Sequence, residues 1–112
     1  MRVDELNCDQ LDQAVLLILK PHLYPEVTNH KIPKYSSVWN LGGPFIESEG
    51  IEISPALGLD KRLPLRGWFA GKSIDSMDLF SHESFGETAL IAAMRVLVKI
   101  NFGDEIELPT LN

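Results

Sequence analysis

The residues best placed to do chemistry lie in one stretch and just beyond it: Tyr35, Trp39, Gly42, Gly43, Glu47 and Glu52, followed by Arg66 and Trp68. Two carboxylates that share a site can divide acid and base roles when burial raises the pKa of one of them. An arginine can answer a carboxylate, and tryptophan and tyrosine are frequent binding anchors. Each feature also has an ordinary reading: aromatic rings pack cores, and glutamates line wet faces. No histidine or serine stands in a supporting pattern around them. The set is therefore read as a candidate binding surface, with no catalytic residue assigned and enzyme activity left open.

Other motifs fail on spacing. Cys8 is the single cysteine and His22, His30 and His82 are scattered, so no metal-ligand pattern appears and no metal or cofactor is expected. "GWFAGKS" resembles a phosphate-binding loop, but that loop needs four residues between its glycine and the Gly-Lys-Ser, and Gly67 and Gly71 enclose only three. "LGGP" is not a dinucleotide fingerprint. Its glycines suit a turn, and Pro44 suits the first residue of a strand or an edge.

Composition narrows the classes further. With 112 residues, 45% of them hydrophobic, the chain reads as a single domain, 1–112, with one core. The longest apolar run, "AVLLIL", is too short to span a bilayer and has no basic leader, so a cytoplasmic location and no membrane partner are expected. The net charge of −6 is unlike that of a dedicated nucleic-acid binder. The segment from 31 to 72 is mildly basic through Lys31, Lys34, Lys61, Arg62, Arg66 and Lys72, which keeps weak nucleic-acid binding only as an alternative.

The elements that must position these residues follow from periodicity and caps. "NCDQLDQAVLLILKP" predicts a helix with Asn7 as N-cap, Gln10 closing a capping box and Pro21 as the stop. Leu11, Val15, Ile18 and Leu19 form its core stripe. Leu16 and Leu17 fall outside that stripe, so the helix either packs on more than one neighbour or supplies a homodimer interface through them. "PFIESEGIEISP" predicts two strands joined at Glu49-Gly50, with Glu47 opposite Glu52. "RGWFAG" predicts a third strand, and "KSIDSMDLFSHESFG" a polar loop with a helical turn around Ser76–Phe80. "GETALIAAMRVLVKINFGDE" predicts a helix from the Thr88 cap to about Phe102, stopped by Gly103. Its buried stripe is Leu90, Ile91, Met94, Leu97 and Val98, with Arg95 and Lys99 marking the solvent face. "DEIELP" adds a short strand or docks along the sheet. The expected fold is α+β, with two main helices packed on a short antiparallel sheet of three or four strands.

Two segments, "GGPFIESEGIEI" and "LIAAMRVLVKINFGDEIELP", together resemble a phage protein family of unknown function that includes NinX. The matching positions are Leu11, Asp12, Ala14 and Val15; Gly42, Gly43, Pro44, Ile46 and Glu47; Trp68; and Leu90 to Arg95, Gly103, Asp104 and Pro109. The chain departs from the pattern at Gln13, at Ala89 and at "YSSVW", which lacks the usual proline. The resemblance implies a phage or prophage origin and action in the cytoplasm of a bacterial host, and names no chemistry. The leading expectation is an accessory protein that binds a host or phage protein. The alternative is a small-ligand or enzymatic site around Glu47 and the tryptophans.

Overall fold

A helix that is apolar on nearly every side has to be buried on nearly every side. Ala89–Phe102 (α3) is such a helix, with Leu90, Ala92, Ala93, Met94, Val96, Leu97 and Val98 all buried. Its ends match the sequence: Thr88 Oγ1 accepts from Ile91 N at 3.1 Å, and Gly103 N donates to the Lys99 carbonyl. The computed structural model of the chain describes residues 1–21, 32–56, 67–74 and 79–108. Among these, α3 is the element that touches the first helix, the second helix and all three strands.

The first helix, Cys8–Leu19 (α1), carries the expected capping box: the Asn7 side chain accepts from Gln10 N, and the Gln10 side chain accepts from Asn7 N. Its buried face is Leu11, Asp12, Ala14, Val15 and Leu16, rotated from the expected stripe. Leu19 is exposed, and Leu17 and Ile18 are partly buried against the core. Leu16 is therefore a core side chain at 2% exposure and is not free to form a subunit contact. The rotation arises because α1 meets α3 on one side and the turn at Tyr35–Ser37 on the other, where Asp12 binds Ser36.

The largest correction concerns residues 39–49. The expected first strand of the hairpin is a helix, Trp39–Glu49 (α2), with Pro44 inside it. Gly42 explains why. A Cβ there would lie 2.1 Å from the Tyr35 carbonyl oxygen and 2.9 Å from Leu90. The glycine lets helix, turn and α3 approach as no other residue would, and this packing overrides the low helix propensity of Gly-Gly-Pro. Glu49-Gly50 is not a hairpin turn. Gly50 adopts a left-handed conformation at φ 64° and ends α2, its N–H donating back to Glu47 and Ile46. Glu47 thus lies on α2 and does not oppose Glu52.

The sheet is antiparallel, in the order β1-β2-β3: Ile51–Pro55 (β1), Trp68–Ile74 (β2) and Leu79–Gly86 (β3). Glu52 pairs with Gly71, and Ile53 with Ala70. The expected polar loop after β2 is largely β3. A bulge at Lys72/Ser73 breaks its alternation, which is why its period is hard to see. The Ser76–Phe80 turn falls mainly outside the described residues, and Leu79 and Phe80 belong to β3. Residues 104–106 add no strand to this sheet, although Ile106 is buried in the same core cluster as Ile51 and Ala70. They run antiparallel to the first residues, with Val3 N donating to the Asp104 carbonyl, Ile106 N to the Met1 carbonyl, and an Arg2–Glu105 bridge. That pairing places a 3₁₀ turn, Val3–Glu5, against α3. The fold is α+β: among the described residues three helices and a three-stranded antiparallel sheet surround one cluster of buried apolar side chains.

Candidate functional site

The residues singled out from the sequence do not converge. Tyr35 is buried, with its ring edge-on to Phe45 at 6.3 Å. Gly42 is a packing residue, and Gly43 faces the Trp39 ring. Trp39 is 54% exposed at the start of α2, and Glu47 is exposed further along the same helix. Glu52, on β1, accepts from Ser73 Oγ at 3.0 Å. Trp68 packs against the core from β2. Arg66, with Lys31, Lys61, Arg62 and Pro109, lies outside the described residues. Lys72 is paired with Glu49 at 3.2 Å, joining β2 to the end of α2.

A different group does converge. Arg95 and Lys99, one helical turn apart on α3, turn inward rather than to solvent. The Lys99 ammonium meets the Asp4 carboxylate at 2.8 Å and donates to the Glu83 carbonyl at 2.7 Å. Arg95 donates through Nη1 to the Phe85 carbonyl at 2.6 Å and through Nη2 to the Leu6 carbonyl at 3.0 Å. Glu83 and Phe85 are two residues apart on β3, so their carbonyls point to the same side of this edge strand. The two cations cover that stretch of edge, where open carbonyls would invite another strand. Ser84, 1% exposed, completes the group by donating to Asp4.

The electrostatics follow from these contacts. Burial works against ionisation of Asp4. The bonds from Lys99 and Ser84 and the charges of Lys99 and Arg95 outweigh it, so the carboxyl lies below its ordinary 3.8. Asp4 is thus an ionised partner at neutral pH and a poor proton donor. Asp12 is the counterexample. Burial pushes it up, and the two bonds from Ser36 only partly oppose this. Burial and the Asp12 charge in turn push the Tyr35 hydroxyl up.

Two open clefts flank Asp4. One, of about 520 Å³, is bounded by the 3₁₀ turn, the start of α1, the end of β3 and α3, with Leu6, Phe85 and Ile91 among its walls. The other, of about 590 Å³, is polar and runs past Arg2, His82, Lys99 and Asp104. Ser81 Oγ and His82 Nδ1 are 3.0 Å apart there, but they are sequence neighbours, and among the described residues no acid orients the ring as a nucleophile–base pair would need. Among the described residues no group of three or more His, Cys, Asp or Glu is arranged to hold a metal, and no helix is long and apolar enough to cross a membrane. No family model matches the chain, and no curated protein matches it.

Sequence reasoning missed Asp4, Ser84, Arg95 and Lys99 as a group. One signal was available. From Leu90 to Ile100 the only charged residues are Arg95 and Lys99, so a helix this apolar had to carry its two cations toward other protein groups.

Proposed function

We propose that this chain is a phage or prophage accessory protein that works in the cytoplasm of a bacterial host by binding another protein through the start of α2. The observation that carries this reading is the exposure of Val38 at 41%, Trp39 at 54% and Leu41 at 39%. These are half of the exposed large apolar residues among the described ones, gathered within four positions, whereas Met1, Leu19 and Phe102 are separated in sequence. A half-exposed tryptophan flanked by aliphatic side chains is the composition of an interface anchor. The resemblance to the NinX-containing family supports the phage setting, and its Gly42-Gly43-Pro44 signature lies in the same helix.

The test is quantitative recovery from prophage-induced cells with tagged wild-type and Trp39→Ser chains. Wild type is expected to bring down a protein in stoichiometric amount, and Trp39→Ser to lose it with circular dichroism unchanged. Identical recoveries from both, or no stoichiometric protein from either, would reject the reading.

A further inference from the structure

We infer that the cleft between the 3₁₀ turn, α1, β3 and α3 is a binding site for a small organic acid, a carboxylate on a compact apolar body, with Arg95 as its anion-binding residue. Its volume of about 520 Å³ falls within the roughly 300–1,000 Å³ of small-molecule pockets, which are mainly apolar with a few convergent polar groups. Leu6, Phe85 and Ile91 supply the apolar wall. Arg95 supplies the charge, and its bonding explains why that charge is available. The Asp4 carboxylate is bonded by Lys99 and Ser84 and feels Arg95 only through its charge, and among the described residues Arg95 forms no ion pair within 4 Å. Its guanidinium is held by two neutral carbonyls, which use two of its five N–H groups and leave further Nη hydrogens for the cleft that Arg95 lines.

A guanidinium fixed by carbonyls and bonded to no carboxylate among the described residues is pre-oriented for one. Planar oxyanions suit its fork better than a point charge does. The start of α1, which lines the same cleft, adds the positive end of a helix dipole. Glu87 on the exposed rim and Asp4, whose charge Lys99 pairs, both oppose an anion that enters, so the site favours a single negative charge over a phosphate dianion. The cleft shares no lining residue with the exposed start of α2, so this site stands or falls separately from the protein-binding surface.

Cys8 gives the test its readout. It is the chain's single cysteine, exposed, and part of the cleft wall. The rate of its alkylation by iodoacetamide, an uncharged reagent, is measured against naphthalene-2-carboxylate and against neutral 2-naphthamide. Saturable protection by the acid is expected, with the amide weaker by about tenfold or more, as loss of a charge-assisted bond implies. Glu87→Gln is expected to tighten the acid about twofold to fivefold by removing a like charge from the rim. Arg95→Met is expected to remove the preference for acid over amide. If that variant does not fold, the amide comparison and Glu87→Gln decide. Absence of saturable protection below about 10 mM, equal protection by acid and amide, or no response to Glu87→Gln would overturn the proposal.

Discussion

Asp4 and Asp12 lie close together in sequence, the first 41% exposed in its side chain and the second buried, and they behave in opposite ways. Asp4 meets a buried ammonium and is held below its ordinary pKa, whereas Asp12 meets only the neutral donors of Ser36 and is pushed above it. The Asp4 end of the molecule is organised by charge: two cations on α3 bind β3 carbonyls and one carboxylate. The Asp12 end is organised by shape: α2 reaches the Tyr35 carbonyl and Leu90 because Gly42 has no side chain. Burial acts on both carboxylates. The sign of the outcome depends on whether a cation bonds the carboxylate directly, as Lys99 does Asp4, or only acts from a distance, as Lys34 does on Asp12.

The largest effect is expected where shape leaves no freedom. Gly42→Ala places a Cβ against backbone oxygen, which cannot rotate away, and should cost about 3 kcal/mol or more in urea unfolding. Gly43→Ala, whose nearest neighbour is the movable ring of half-exposed Trp39 at 3.3 Å, should change stability little. Equal costs at the two glycines would break the claim that close approach at Gly42 holds α2. Next comes charge. Lys99→Met removes the ion pair and leaves the Glu83 carbonyl unbound, for an expected loss of about 2–3 kcal/mol, less than for a fully buried pair because Asp4 keeps contact with water.

This contrast also accounts for what was legible in the sequence. The α1 capping box, the Thr88 cap, the Gly103 stop and β2 are local features, and local chemistry can be read residue by residue. Helix α2 was not legible, because Gly42-Gly43-Pro44 carries turn propensities and its reason for being helical lies in Tyr35 and Leu90. The Asp4 group was not legible either: Asp4 and Lys99 meet because residues 104–106 pair with residues 1–3 and carry the 3₁₀ turn onto α3. Of the candidate binding surface, the sequence pointed to Trp39, which is exposed. It also pointed to Tyr35 and Gly42, whose burial follows from the same unforeseen helix.

pH dependence sharpens the comparison, because the two carboxylates should pull in opposite directions. Asp4 has a folded pKa below 3.8, so its stabilising contribution is present above 3.8 and is lost as pH falls through the lower folded value. Asp12 has a folded pKa above 3.8, so its contribution is present below 3.8 and is lost as pH rises through the raised folded value. Urea midpoints followed between about pH 3 and pH 7 should show the cost of Asp4→Asn shrinking in acid and the cost of Asp12→Asn growing. Parallel trends for the two variants would mean that Lys99 does not govern Asp4.

The smallest expected effect is the most specific. Both bonds from Ser36, from its N–H at 2.8 Å and its hydroxyl at 2.7 Å, fall on the same Asp12 oxygen, Oδ1. An asparagine can present its carbonyl oxygen at that position and keep both bonds, while its amide replaces the other oxygen. It also removes the cost of burying a charge that has no cation bound to it. Asp12→Asn should therefore lose no more than about 1 kcal/mol at neutral pH. Asp12→Ala, which leaves the Ser36 N–H without an acceptor and its hydroxyl with only the Cys8 carbonyl at 3.4 Å, should lose about 2–3 kcal/mol. If asparagine proves as damaging as alanine, the negative charge itself is what Ser36 and the neighbouring Lys34 require, and the Asp12 end would be held by electrostatics much as the Asp4 end is.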